Sequence, residues 1–259
     1  MTETNLKPIC WEKAALDYEL EYSKARGSIL EVYPDFIHIS NRNVHYGGDY
    51  NRTVSVRART PERFREILGL VEKMHERDGA LPPDRFDFFP PVLGPEWEAA
   101  ADSLGYRLKT SVYLQAPALP PQSFSPYRLH SPAAEEFEQW YTAQQKANPY
   151  CTEQLLKEIV PRQMKFIKVF NPFWLMKDES PVGWVYCQLH NGFFNVFELE
   201  LLGEYRGKGL GRVFMQLIRA ESGRLGARFV LVQTTRKIKD FYIKSGFSVA
   251  SENTVLVKK

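Results

Sequence analysis

Apolar residues recur along this chain with two periods, and the points where one gives way to the other mark its elements. Phe173 to Lys177, Val182 to Leu189 and Phe193 to Leu202 are apolar-rich runs of strand length. Turn-forming residues separate them at Asp178 to Pro181 and His190 to Gly192. At Leu210 the period lengthens. Leu210, Val213, Phe214, Leu217 and Ile218 form a helical stripe, which predicts a helix to about Gly226. Arg228 to Gln233 reads as another strand. A short helix carrying Ile238, Phe241 and Tyr242 follows and stops at Gly246 and Phe247, and Thr254 to Val257 closes as a last strand.

A similar order precedes this one. Thr53 to Ala58 reads as a strand, and Thr60 caps a helix with Pro61 at its first position. Ile67, Leu68, Val71 and Met74 are its stripe. Arg85 to Phe89 is a strand, Glu96 to Leu104 a short helix ending at Gly105 and Tyr106, and Ser111 to Leu114 a closing strand. The two halves read as divergent copies of one unit. Between them, Gln115 to Pro126 holds four prolines in twelve residues, a density that resists helix and central strand. The sequence therefore divides into residues 1–116, a proline-rich linker 117–126, and residues 127–259.

Between the strand ending at Leu202 and the helix starting at Leu210 runs Arg206-Gly207-Lys208-Gly209-Leu210-Gly211-Arg212. Glycines let backbone approach a ligand closely. The first amides of a helix have no internal partner, and the dipole adds positive potential there. Such a start suits a pyrophosphate, and Arg206, Lys208 and Arg212 add charge. The spacing is neither that of a Walker loop nor the three-glycine dinucleotide fingerprint. It reads R-x-x-G-x-G.

That motif after the third strand, with Phe241, Tyr242, Gly246 and Phe247 later, resembles the GNAT superfamily of acyl-CoA-dependent N-acetyltransferases over Tyr127 to Lys259. The resemblance implies an α+β fold with a mixed sheet, two GNAT-like halves in tandem, and acetyl-CoA as acyl donor to an amine. It implies that the backbone of Leu199, Glu200 and Leu201 pairs with the pantetheine arm and that Gly207 to Arg212 cradle the pyrophosphate. Thr235 takes the place of a cofactor-binding asparagine common in that family. Tyr242 takes the place of a tyrosine that donates a proton to the leaving thiolate. Glu198 and Glu200 alternate with Phe197, Leu199 and Leu201, so both are expected on one strand face, where either could accept the amine proton. The first half lacks the motif: it has no glycine between Thr53 and Gly69, places Glu62 in the first helical turn, and carries Ala101 in place of Tyr242. It is expected to bind no cofactor.

Composition narrows the partners. The 259 residues carry 34 basic and 31 acidic side chains, a net charge of +3, too balanced to require nucleic acid or membrane. The start from Met1 to Asn5 lacks the features of a signal peptide, and no apolar run approaches the roughly 20 residues that span a bilayer. Cys10, Cys151 and Cys187 are isolated and odd in number, which fits a reducing cytoplasm. His38, His45, His75, His130 and His190 show no ligand spacing, so no metal is expected. The acceptor amine, belonging to a small molecule or a protein, and assembly as monomer or homodimer are left open. The alternative to an enzyme is a non-catalytic acyl-CoA sensor or partner-binding protein on the same fold.

Overall fold

The strand and helix periods become structure in the order read from the sequence, with elements added that carry weaker patterns. A computed structural model describes residues 9–41, 51–81, 83–147 and 151–259. Met1 to Asn5 and His45 lie outside the described residues. The chain forms two compact units: Met1–Tyr113 with Val249–Lys259, and Leu114–Ser248.

The first unit contains α1 (Trp11–Ala25), β1 (Ile29–Tyr33), β2 (Phe36–Ser40), β3 (Arg52–Val56), α2 (Pro61–Asp78), β4 (Arg85–Phe88), α3 (Pro95–Ser103) and the start of β5 (Tyr106–Pro117). The last strand of the chain, β11 (Ser248–Lys258), joins this unit and pairs antiparallel with β4 from Thr254↔Phe88 to Val257↔Arg85. The sequence had suggested that it closes the second half. The strand order is β1-β2-β3-β4-β11-β5, with β3 and β4 parallel and α2 as their crossover. α2 starts as its residues dictate: Thr60 Oγ1 accepts from the Arg63 amide at 3.3 Å, Pro61 stands at the first turn, and Gly79 ends it in the left-handed region. Its stripe, Phe64, Ile67, Leu68, Val71 and Met74, packs on Phe86, Phe88, Trp97 and Leu256.

A charged group lies inside this unit. Arg52 of β3 is 0% exposed. Its guanidinium stands 2.6 Å from the Glu19 carboxylate and 3.7 Å from Asp87, and it donates to Ser23 Oγ at 3.0 Å. Tyr113 donates to Glu19 at 2.5 Å, and Asn253 of β11 donates to Asp87 at 3.1 Å. Five elements (α1, β3, β4, β5 and β11) thus meet at one ion cluster.

The second unit contains the end of β5, β6 (Tyr127–His130), α4 (Ala134–Ala147), α5 (Glu153–Phe166), β7 (Asn171–Lys177), β8 (Ser180–His190), β9 (Phe193–Leu201), α6 (Leu210–Arg224), β10 (Phe229–Thr235) and α7 (Arg236–Ile243). Its strand order is β5-β10-β9-β8-β7-β6. β6 to β9 pair antiparallel, whereas β9 and β10 are parallel across α6. The proline-rich segment is pinned to this unit. The Ala118 amide donates to Arg228, the Leu119 amide to Arg219, and Arg219 Nε to the Pro117 carbonyl at 3.1 Å. Among the described residues no helix is long and apolar enough to cross a membrane.

Removing one member of a buried ion cluster leaves the others charged and dry. Arg52→Ala is expected to destabilise the first unit by about 3–5 kcal/mol, measured by urea denaturation. A loss below 1 kcal/mol would show that Glu19 and Asp87 do not depend on it.

Candidate functional site

The site is built where β9 leaves β10. The two strands pair from Phe193↔Phe229 to Val196↔Val232, and there the ladder ends, although β9 runs to Leu201 and β10 to Thr235. From Phe197 onward the strand neighbours of β9 among the described residues are those of β8: Phe197 opposes Tyr186, Glu200 opposes Trp184 and Leu201 opposes Gly183. Between these pairs one β8 residue faces both Glu198 and Leu199, and Glu198 has φ +50°. This β-bulge bends and twists the strand. It also interrupts the alternation from which a single face for Glu198 and Glu200 was expected; both carboxylates are nonetheless exposed. Among the described residues the edge of β9 at Leu199 to Leu201 has no strand partner on the β10 side.

The first unit shows what prevents such an opening. β3 also bulges, at Ser55 with φ +55°. There the ladder resumes beyond the bulge at Val56↔Phe88, so β3 and β4 do not part. The following helix is capped by Thr60 and has Glu62 in its first turn, which complements the dipole without an external anion.

Beyond β9, Gly203–Tyr205 form one 3-10 turn and the loop reaches α6 at Leu210. Gly207 and Gly209 have φ +74° and +79°, and Gly209 occupies the N-cap position with no side-chain cap. A Cβ on either would meet nothing within 4 Å, so their role is conformational and the space before them is open. Among the described residues the amides from Gly207 to Gly211 have no acceptor. An uncapped helix start behind open space fits a pyrophosphate. Gly211 serves differently: a Cβ there would lie 2.9 Å from the Phe241 ring, so this glycine lets α6 and α7 touch.

The basic residues divide. Arg206 turns back: its Nε donates to the Leu201 carbonyl at 2.8 Å and its Nη2 to Glu200 Oε1 at 2.5 Å. It clips the loop to the end of β9, and the charge of Glu200 is engaged by it. Lys208 and Arg212 are exposed, with the Lys208 ammonium 5.9 Å over the Tyr205 ring.

Tyr242 sits on α7 with 9% of its surface exposed. Its ring packs edge-on against Phe241 at 5.0 Å and Phe247 at 5.6 Å. Burial pushes its phenol up to about 12, so the hydroxyl keeps its proton at neutral pH. Thr235 is exposed at the N-cap of α7 and makes no capping bond with its side chain. The turn after α7 is held by Arg219, which donates to the Ser245 carbonyl at 3.3 Å and lies 5.9 Å over the Phe247 ring.

Arg219 and Gly183 were not singled out from the sequence. A Cβ on Gly183 would lie 2.6 Å from the Glu200 carbonyl, so β9 comes close to β8 only over a glycine. An isolated glycine inside a strand pattern is the signal that could have found it. Arg219 gave no signal, because a basic residue on the apolar side of a helix is indistinguishable from a surface one until its partners are known.

No family model matches this sequence, and no curated protein matches it. Solved structures do. The chain is similar to a functionally unknown conserved protein from Staphylococcus epidermidis, at a TM-score of 0.67 and 14% identity over 89% of this chain and 94% of that one. It is similar to a GCN5-related N-acetyltransferase from Kribbella flavida, at 0.60 and 14% identity over 98% and 96%. A GCN5-related N-acetyltransferase from Sphaerobacter thermophilus gives 0.57 and 14% over 95% and 84%. Likeness this remote in sequence speaks for the fold, and it extends over nearly the whole chain. The protein has the GNAT fold, that of the GCN5-related N-acetyltransferases.

Proposed function

We propose that this protein is an acetyl-CoA-dependent N-acetyltransferase acting on a primary amine, with its acyl-donor site in the second unit. The observation that carries the reading is the parting of β9 from β10 immediately before an uncapped, glycine-rich helix start. The backbone of Leu199, Glu200 and Leu201 offers an edge for the pantetheine amides. Gly207, Lys208, Gly209, Leu210, Gly211 and Arg212 hold the pyrophosphate through amides and charge. Thr235 adds a hydroxyl at the mouth of α7. Arg206 fixes the loop to β9 and screens Glu200.

Transfer by direct attack needs a base for the ammonium proton and an acid for the thiolate. Tyr242 is the acid. A phenol at about 12 holds its proton across the range where an amine of ordinary pKa near 10.4 becomes neutral. Glu198 and Glu200 are the candidate bases, and Glu200 is bound to Arg206.

Acetyl-CoA is expected to raise the melting temperature, with one molecule bound per chain by calorimetry. Gly209→Glu, which puts bulk and negative charge before the amides, is expected to abolish the shift. Two molecules per chain would show that the first unit also binds the donor, and an unchanged shift in the variant would remove the proposed site. Binding without turnover on any amine of a broad panel would instead make the protein a sensor.

Tyr242→Phe is expected to lower kcat by roughly 10- to 1000-fold with donor affinity kept. In the wild type no alkaline loss of kcat from this group is expected up to pH 10. Glu198→Gln is expected to lose most at low pH, where the amine is charged, and to recover as pH rises. Glu200→Gln releases Arg206 and is expected to change donor affinity while leaving the pH profile in place. Wild-type turnover of Tyr242→Phe, where chemistry limits the rate, would exclude the tyrosine.

Gly211→Ala forces the Phe241 ring aside and is expected to cost about 1–3 kcal/mol. It should also lower kcat, because α7 carries Tyr242. Gly209→Ala meets no atoms and is expected to cost about 1–2 kcal/mol through its left-handed backbone alone. Equal stability of both variants and the parent, by chemical denaturation, would contradict this division.

A further inference from the structure

The first unit contains a cluster that neither the fold nor the proposed reaction uses. Glu31 of β1, His38 of β2 and Asp78 at the end of α2 bring one ligand atom each to within 4.8 Å of one another. His38 Nε2 lies 3.4 Å from Asp78 Oδ2, and Ser40 Oγ donates to the same oxygen at 3.0 Å. His38 is 0% exposed and Asp78 5%. Beside them His75, 1% exposed, stands edge-on to the His38 ring at 4.6 Å between centroids. Among the described residues His38 Nδ1 has no hydrogen-bond partner, and the Leu81 backbone lies beside the His75 ring without a well-formed hydrogen bond to either nitrogen. Two imidazoles are thus buried in contact with nitrogens that lack a well-formed hydrogen bond among the described residues, an arrangement that wastes hydrogen-bonding capacity unless something else takes it.

We propose that Glu31, His38 and Asp78 form a binding site for a divalent first-row cation of the zinc type, with His75 as the adjacent second imidazole. Imidazole nitrogen with carboxylate oxygen is a donor set that zinc accepts. The cluster is also oriented from outside. Arg77 donates to Asp78 Oδ1 at 2.8 Å and to Glu31 Oε2 at 2.9 Å, and Tyr33 donates to Glu31 Oε2 at 3.0 Å. Arg77 holds Asp78 by Oδ1, whereas Oδ2 is the oxygen turned to His38. Such outer contacts fix ligating carboxylates. The two carboxylates and one guanidinium sum to one negative charge, which a divalent cation turns to one positive. A bound ion would tie β1 and β2 to the end of α2. Sequence spacing could not show this, because the ligands come from three elements and stand 7 and 40 residues apart.

The test uses the full chain, stripped with chelator and titrated with zinc chloride. Expected are one zinc per chain by calorimetry at micromolar affinity or tighter, a higher melting temperature, and visible absorbance when cobalt replaces zinc. Glu31 is partly exposed, so Glu31→Gln should fold as the parent, checked by circular dichroism of the apo protein, and bind at least 10-fold more weakly. His38→Gln should abolish the cobalt band. His130→Gln, at the exposed His130–Glu136 pair, should leave binding unchanged. No stoichiometric zinc on the parent chain would overturn the proposal. So would parental affinity in Glu31→Gln, or loss of binding in His130→Gln, since each would place the ion elsewhere or nowhere.

Discussion

The second unit depends on one unmet demand of its backbone. A strand inside a sheet must pair on both edges, and β9 stops doing so on one edge after Val196. The bulge at Glu198 turns the strand away, Gly183 lets it stay close to β8, and Arg206 takes the Leu201 carbonyl at the strand's end. What remains is an edge of amides and carbonyls that a ligand with amides of its own can pair, followed by helix amides that an anion can satisfy. Chemistry at such a site is supplied by backbone geometry first, and side chains adjust it.

The two units show how one element order serves two ends. Both place a bulged strand before a parallel partner and a crossover helix. In the first the ladder closes again at Val56↔Phe88 and the charged groups turn inward, onto Arg52. In the second the ladder stays open, and Lys208 and Arg212 face outward at the helix start. The difference is a few residues: a threonine cap and Glu62 in one, two left-handed glycines and no cap in the other.

Much of this was legible in the sequence. The elements from Asn171 to Ile243 and from Arg52 to Pro117 carry strong periods, and the R-x-x-G-x-G loop falls where a strand meets a helix. The elements that escaped have weak patterns. Phe137 is the buried residue of α4 and Phe166 that of α5, and α5 holds Pro161 in its interior, so neither shows a stripe. β2 is buried along its whole length, including the polar His38 and Ser40, so it shows no alternation. The position of β11 was hidden for another reason: Thr254 to Val257 plainly form a strand, but nothing local specifies which strand they join. The bulge at Glu198 was equally silent, since glutamate carries no preference for a positive φ.

The place of β11 has a consequence for how the molecule comes into being. A chain leaves the ribosome from its first residue to its last, and a unit folds once its parts are present. Here the first unit begins the chain yet needs Val255, Leu256 and Asn253 to cover β4 and to complete the Asp87 cluster. The unit that starts first is therefore finished last, and the intervening one has all its strands before then. A chain lacking Asn253 to Val257 would leave one edge of β4 without its β11 partner and the buried Asp87 carboxylate without its Asn253 donor, so the last few residues decide whether the earliest-made unit closes.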